Sequence, residues 1–146
     1  MVDLPVGYRL SVERQPSIED RRVLSDALGE FNEPFLPKAD PHSVAVLVRG
    51  SDGELRAGLD GFTYAGWLFI RYLWVDAELR RSGVGRALMA EAEREARRLG
   101  CHSVWVDTFS FQAPGFYAKL GYREFGRLDY PPDHQRIFLQ KQLVAE

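Results

Sequence analysis

The chain has 146 residues, 45% hydrophobic and 12% aromatic, enough for one ordinary domain (residues 1–146) with a real core. Nineteen basic against 21 acidic residues leave a formal charge of −2, so no overall field draws nucleic acid or an anionic membrane surface. One cysteine, Cys101, excludes an internal disulfide framework, and with the scattered His42, His102 and His134 it makes no metal cluster, so no metal is expected. The start, Met1-Val2-Asp3-Leu4-Pro5, lacks the basic and apolar regions of a signal peptide, and no apolar run approaches bilayer length. A soluble, cytoplasmic protein is expected.

In chain order, residues 8–12 (Tyr-Arg-Leu-Ser-Val) alternate apolar and polar and predict an opening strand. Ser17, followed by Asp20, predicts a helix N-cap, with the helix running to Leu28 and stopping at Gly29. Residues 30–41 hold Pro34, Pro37 and Pro41 with Phe31 and Phe35, which predicts a loop or a short broken helix. Residues 43–49, 54–64 and 67–75 are three strands of an antiparallel meander, separated by turn signals at residues 50–53 and 65–66. Gly61 inside the second predicts a bulge, and the third is apolar on both alternating sets, as in a central strand covered on two faces. Val84, Ala87, Leu88, Ala92, Ala96 and Leu99 recur at helical spacing up to a stop at Gly100. Residues 103–108 read as a buried strand, 113–120 as a short helix with Pro114 in its first turn, and 136–142 as a last strand. The stretch 129–134, with Pro131 and Pro132, reads as a turn.

The segment from Leu73 to Met89 joins an apolar strand to a polar turn and then to a helix whose first residues fall inside Arg80-x-x-Gly83-x-Gly85. Free N–H groups at a helix start, beside Arg80, Arg81 and Arg86, suit a pyrophosphate. Three arginines at the positive end of a helix oppose its dipole by about 0.3–1 kcal/mol each, a cost that an anion bound there would offset. A Walker loop is excluded by the absent Gly-Lys-Ser/Thr, and a dinucleotide loop by Leu88 where the third glycine belongs. Glycines that merely permit a tight turn remain the plain alternative.

With this cradle and with Phe116-Tyr117-Ala118-Lys119-Leu120-Gly121-Tyr122 downstream, the chain resembles the GNAT superfamily of acetyl-CoA-dependent N-acetyltransferases. The match is to the family's Arg/Gln-x-x-Gly-x-Gly/Ala and Phe-Tyr-x-Lys-x-Gly-Phe patterns, strong from Trp67 to Phe125 and weak before Ser43. The resemblance implies an α/β fold with a mixed, mostly antiparallel central sheet flanked by helices and a splayed strand pair. It implies acetyl-CoA as cosubstrate. The pantetheine arm would lie along Leu73, Trp74 and Val75, the pyrophosphate on the amides of Ser82, Gly83, Val84, Gly85 and Arg86, and Arg80 and Arg81 near the phosphates. The Val75 N–H would be an oxyanion donor and Tyr117 the general acid. Where many relatives carry a cofactor-touching Asn, this chain has Ser110, with a shorter reach.

For the base, Asp107 ranks first; Glu30 and Glu33 lie where relatives build the acceptor site, and each has a solvent-facing reading. Phe35, Phe109 and Tyr130 are expected to border the acceptor, implying a partly apolar pocket. The implied reaction is direct acetyl transfer to a primary amine of a small molecule. A protein or peptide amine, and a non-catalytic acyl-CoA sensor, are the alternatives. A homodimer is compatible with the resemblance, and nucleic acid is not an expected partner.

Overall fold

The computed structural model describes residues 3–143, and these form two compact units that divide after Pro37. In the first unit Ser17 caps helix α1 (Ile18–Asn32), its hydroxyl accepting from the Asp20 N–H at 3.0 Å. The helix continues through Gly29, because one glycine costs an established helix only about 1 kcal/mol and the next hydrogen bond still forms, from Glu33 N–H to Gly29 C=O at 3.0 Å. Residues 8–12 are not a strand: their alternation has no neighbouring chain to pair with, and a lone strand leaves its main-chain groups unpaired.

The second unit is a six-stranded sheet of β1 (His42–Arg49), β2 (Leu55–Tyr64), β3 (Trp67–Val75), β4 (Ser103–Phe109), β5 (Arg123–Tyr130) and β6 (His134–Gln142), in the order β1-β2-β3-β4-β6-β5. All neighbours are antiparallel except β3 and β4, which are joined by helix α2 (Val84–Arg98) as a parallel crossover. β5 went unread in the sequence because seven of its eight residues are exposed, so it has no buried face to create a period. Its charged stretch pairs with β6 from Arg123 to Tyr130, which shrinks the predicted 129–134 turn to residues 131–133.

Leu88, Met89, Ala92 and Ala96 of α2 are buried against Val44, Ala57, Leu59, Leu68 and Ile70 of the sheet. Alanines one turn apart, both fully buried, let the helix backbone approach the strands closely. The helix ends in a Schellman motif: Gly100 takes φ +86°, its N–H bonds Arg97 C=O at 3.0 Å and the Cys101 N–H bonds Ala96 C=O at 2.8 Å.

The predicted bulge is present, with the β2–β3 register shifting between Asp60 and Gly61 so that Arg71 is the extra residue on β3. A side chain at Gly61 would place its Cβ 2.3 Å from the Phe69 carbonyl oxygen, so only glycine fits. Past the bulge the two-faced burial expected of β3 fails: Leu68 and Ile70 are buried, but Tyr72 is 66% and Trp74 48% exposed. A short 3₁₀ turn (Ala77–Leu79) then leads to α2, and α3 (Pro114–Lys119) follows β4. None of the helices among the described residues is long and apolar enough to cross a membrane.

One buried charge joins two elements and the loop before β5. Glu93 of α2, 6% exposed, accepts from the Tyr122 hydroxyl and from Lys141 Nζ of β6, both at 2.8 Å. Removing one partner of a buried pair strands the other charge. Because the Lys141 side chain left behind is 26% exposed, Glu93→Ala is expected to lower unfolding free energy by about 1–3 kcal/mol, measured as a shift in the urea midpoint at unchanged slope.

Candidate active site

β3 and β4 pair only from Trp67/Ser103 to Ile70/Val106 and then separate, while β4 stays on β6 as far as Phe109/Arg136. The direction of the freed main chain follows from the ladder. The Asp76 N–H bonds Arg56 C=O at 2.9 Å, and in an antiparallel ladder hydrogen-bonded and non-bonded pairs alternate. Trp74 therefore exchanges its main-chain bonds with Gly58, whereas Leu73 and Val75, opposite Leu59 and Ala57, turn theirs away from β2 and into the gap. The gap is a cavity of about 730 Å³ lined by residues of β3, β4, α3 and β6.

At one end of this splayed edge stands the start of α2. Gly83 is the N-cap, at φ +86°, with no side-chain cap and no acidic residue in the first turn. The N–H groups of Gly83, Val84, Gly85 and Arg86 thus have no partner within the helix, and nothing lies within 4 Å of where a Gly83 Cβ would project. Open space, unused donors and nearby arginines fit a bound diphosphate. Gly85 has a different role: a Cβ there would come 3.3 Å from the Phe116 ring, so this glycine seats α3 against α2. Arg80 donates from Nε to the Val75 carbonyl at 3.1 Å, Arg81 adopts φ +65°, and the Ser82 hydroxyl donates to Leu79 C=O. The first of these ties the cradle to the end of β3.

Across the cavity, Tyr117 is 6% exposed, its ring edge-on to Phe116 and Tyr122 at 5.1 and 5.9 Å. The turn that delivers α3 is held by Gln112, whose Oε1 accepts from the Phe109 N–H at 2.8 Å, and by Thr108, whose hydroxyl accepts from the Ala113 N–H at 3.3 Å. Asp107 lines the same cavity and accepts from Arg136 Nε at 3.0 Å. Phe109 stacks on Phe111 at 5.3 Å and meets Tyr130 edge-on at 5.0 Å, so two expected acceptor residues are neighbours. Ser110 exchanges bonds with the start of β6: its hydroxyl accepts from the Gln135 N–H at 3.0 Å and its own N–H donates to Gln135 C=O at 2.8 Å. Its oxygen is therefore engaged in closing the β4–β6 end.

The structure thus brings together Leu73, Trp74, Asp107, Phe109 and Tyr117 around one cavity, with Val75 next along β3 just outside the lining. Glu30, Glu33 and Phe35 belong to the other unit, where Phe31 and Phe35 touch with centroids 6.2 Å apart. Two charged cavity residues escaped the sequence reading, Arg71 and Arg136. An arginine in a strand has no spacing signal of its own, although the glycine bulge beside Arg71 marked the place. Among the described residues no group of three or more His, Cys, Asp or Glu side chains gathers as a metal site.

The sequence model of the Acetyltransferase (GNAT) family matches residues 11–122. The chain belongs to this family. It is 41% identical over 137 residues to the blasticidin-S acetyltransferase of Streptomyces morookaense, across 92% of this chain and 99% of that one. It is 32% identical over 108 residues to the streptothricin acetyltransferase of Streptomyces lavendulae, covering 72% of this chain and 55% of that protein. The crystal structure of an acetyltransferase from Bacillus cereus ATCC 14579 superposes with a TM-score of 0.78 at 33% identity, covering 91% and 98% of the two chains. GNAT enzymes draw their acetyl group from acetyl-CoA, and this chain is an acetyltransferase of that class.

The buried tyrosine responds to its surroundings. Burial, and then the negative charge of Asp107, push the Tyr117 phenol up to about 12. Burial and Glu93 raise Tyr122 as well. Asp107, followed by Tyr130, holds the Arg136 guanidinium further into its charged form. A folded-state value above the unfolded value near 10 means that Tyr117 contributes stability fully below about pH 10, lost as pH rises toward 12. Each such tyrosine gives a limiting slope of about 1.4 kcal/mol per pH unit. Between pH 10 and 12, Tyr117→Phe is expected to show about half the wild-type loss of unfolding free energy attributable to these two tyrosines, read from urea titrations at each pH.

Proposed function

We propose that this enzyme acetylates a primary amine of a small molecule, and that the cavity between the splayed halves of β3 and β4 is where the transfer occurs. The observation that carries this reading is the main chain of Leu73, turned away from β2 toward a cavity that also holds Tyr117 and Asp107, with the Val75 N–H next along the same edge. Acetyl-CoA supplies a reactive thioester carbonyl. The Val75 N–H donates to the carbonyl oxygen as negative charge builds there, and Leu73 aligns the arm beside it. The amides at the start of α2 hold the diphosphate, with the positive helix end directed at it.

Tyr117 donates its phenolic proton to the leaving sulfur. A phenol held neutral to about 12 is protonated throughout the working range and keeps its proton until the sulfur develops charge. Asp107, anchored by Arg136, takes a proton from the attacking amine directly or through water. The similarity to the blasticidin-S and streptothricin acetyltransferases supports a small-molecule acceptor over a protein one, and antibiotic amines head the panel to be tried.

Two measurements test this. Across a panel of amines that includes blasticidin S, thiol release from acetyl-CoA is expected, with kcat reduced about 10²-fold or more in Tyr117→Phe. Release on no amine overturns the assignment. In calorimetry, Gly83→Ala, which adds only the strain of a left-handed residue, is expected to retain coenzyme A binding, and Gly83→Glu, which places a carboxylate at the same open point, to abolish it. Equal affinity in the two variants removes the diphosphate from the α2 start.

A further inference from the structure

We infer that the acceptor amine also carries an anionic group, a carboxylate or an equivalent oxyanion, which Arg71 receives while Asp107 faces the amine; this rests on the proposed small-amine reading. The charged residues lining the cavity are Arg71, Asp107 and Arg136. Arg136 and Asp107 balance each other at 3.0 Å, with side chains 34% and 14% exposed. Arg71 has no carboxylate within the cavity to match it. Its partner Asp60 lies on β2 outside the lining, is reached only through Nε at 3.1 Å, and both side chains are close to half exposed. Such a pair is weak and solvent-screened, and it leaves the terminal Nη donors for another acceptor.

The position of Arg71 is built. As the extra residue of the β3 bulge it sits where pairing with β4 ends, and the bulge itself requires Gly61. Its guanidinium lies 5.4 Å from the Phe62 ring and 5.8 Å from the Tyr72 ring, contacts that restrict a long side chain without consuming its donors. A half-satisfied guanidinium lining an otherwise charge-balanced cavity suits a carboxylate, which it can bind with two parallel N–H bonds. The same lining disfavours a polycation, which would meet two guanidiniums against one carboxylate.

The test uses matched acceptors, ω-amino carboxylates of four to six carbons against their carboxamides, with kcat/KM measured for each pair. Wild type is expected to prefer the carboxylate about tenfold or more, the preference shrinking with added salt. Arg71→Gln is expected to bring the ratio close to one, and Arg71→Lys, which keeps the charge without the fork, to restore part of it. Thermal unfolding of both variants reports whether the fold survives. A wild-type ratio near one, or a ratio unchanged in a folded Arg71→Gln, overturns the inference while leaving the acetyltransferase assignment intact. Turnover of neither member of any pair, nor of any other amine in the panel, defeats the small-amine reading itself.

Discussion

The site depends on the early end of one strand pairing. β3 and β4 share four residue pairs and part at Ile70 and Val106, and everything proposed for chemistry lies beyond that point. Two features keep the gap open. The Asp60/Gly61 bulge adds a residue to β3 there, and a bulge increases the local twist of its strand, turning the later residues away from β4. On the other side β4 remains bonded to β6 down to Phe109, so it cannot follow. The main-chain groups of Leu73 and the N–H of Val75 are left without a β4 partner beside a cavity, while Arg80 takes the Val75 carbonyl, and an open strand edge of this kind is a template for an extended ligand.

Helix α2 connects the two ends of this arrangement. Its open start exposes the amides proposed to hold the diphosphate, its alanine face sets its distance from the sheet, and its Schellman stop sends the chain into β4 parallel to β3. Gly85 and Phe116, one from each of the two family motifs, are in contact range, which explains why those motifs act as a unit although about thirty residues separate them in the chain. Farther along α2, Glu93 reaches Tyr122 and Lys141, and the ring of Tyr122 abuts that of Tyr117. The proposed cofactor cradle and the proposed acid are thus braced by the same helix. Burying Glu93 is costly unless both partners are present, so the cluster holds α2, β6 and the chain after α3 in one register.

Electrostatics divide the cavity into distinct tasks. Tyr117 is buried beside a negative charge and stays a neutral donor, whereas Asp107 is paired with an arginine and keeps its place at the end of β4. Phe109 lines the same cavity and is backed by Phe111 and Tyr130 in one aromatic cluster. Burial therefore distinguishes groups that a residue list would treat alike: two arginines line the cavity, one matched inside it and one matched outside.

The elements with one buried face were legible in the sequence, because burial imposes a period: β1 to β3, α2, β4 and β6 lie close to where alternation, alanine spacing and glycine stops put them. The bulge at Gly61 and the cap at Ser17 were legible because each has a local chemical signature. β5 was not, since an exposed strand has no period, and residues 8–12 misled, since alternation without a partner strand does not make a sheet. The family motifs pointed to the segments proposed as cradle and oxyanion strand, and to Tyr117. What only the tertiary structure decided was pairing between distant side chains: Arg136 on Asp107, Glu93 on Tyr122 and Lys141, Ser110 on Gln135, and Arg71 in the lining of the cavity. A sequence records which groups are available, but which of them meet is set by strand register and helix packing, and those follow from burial across the whole sheet.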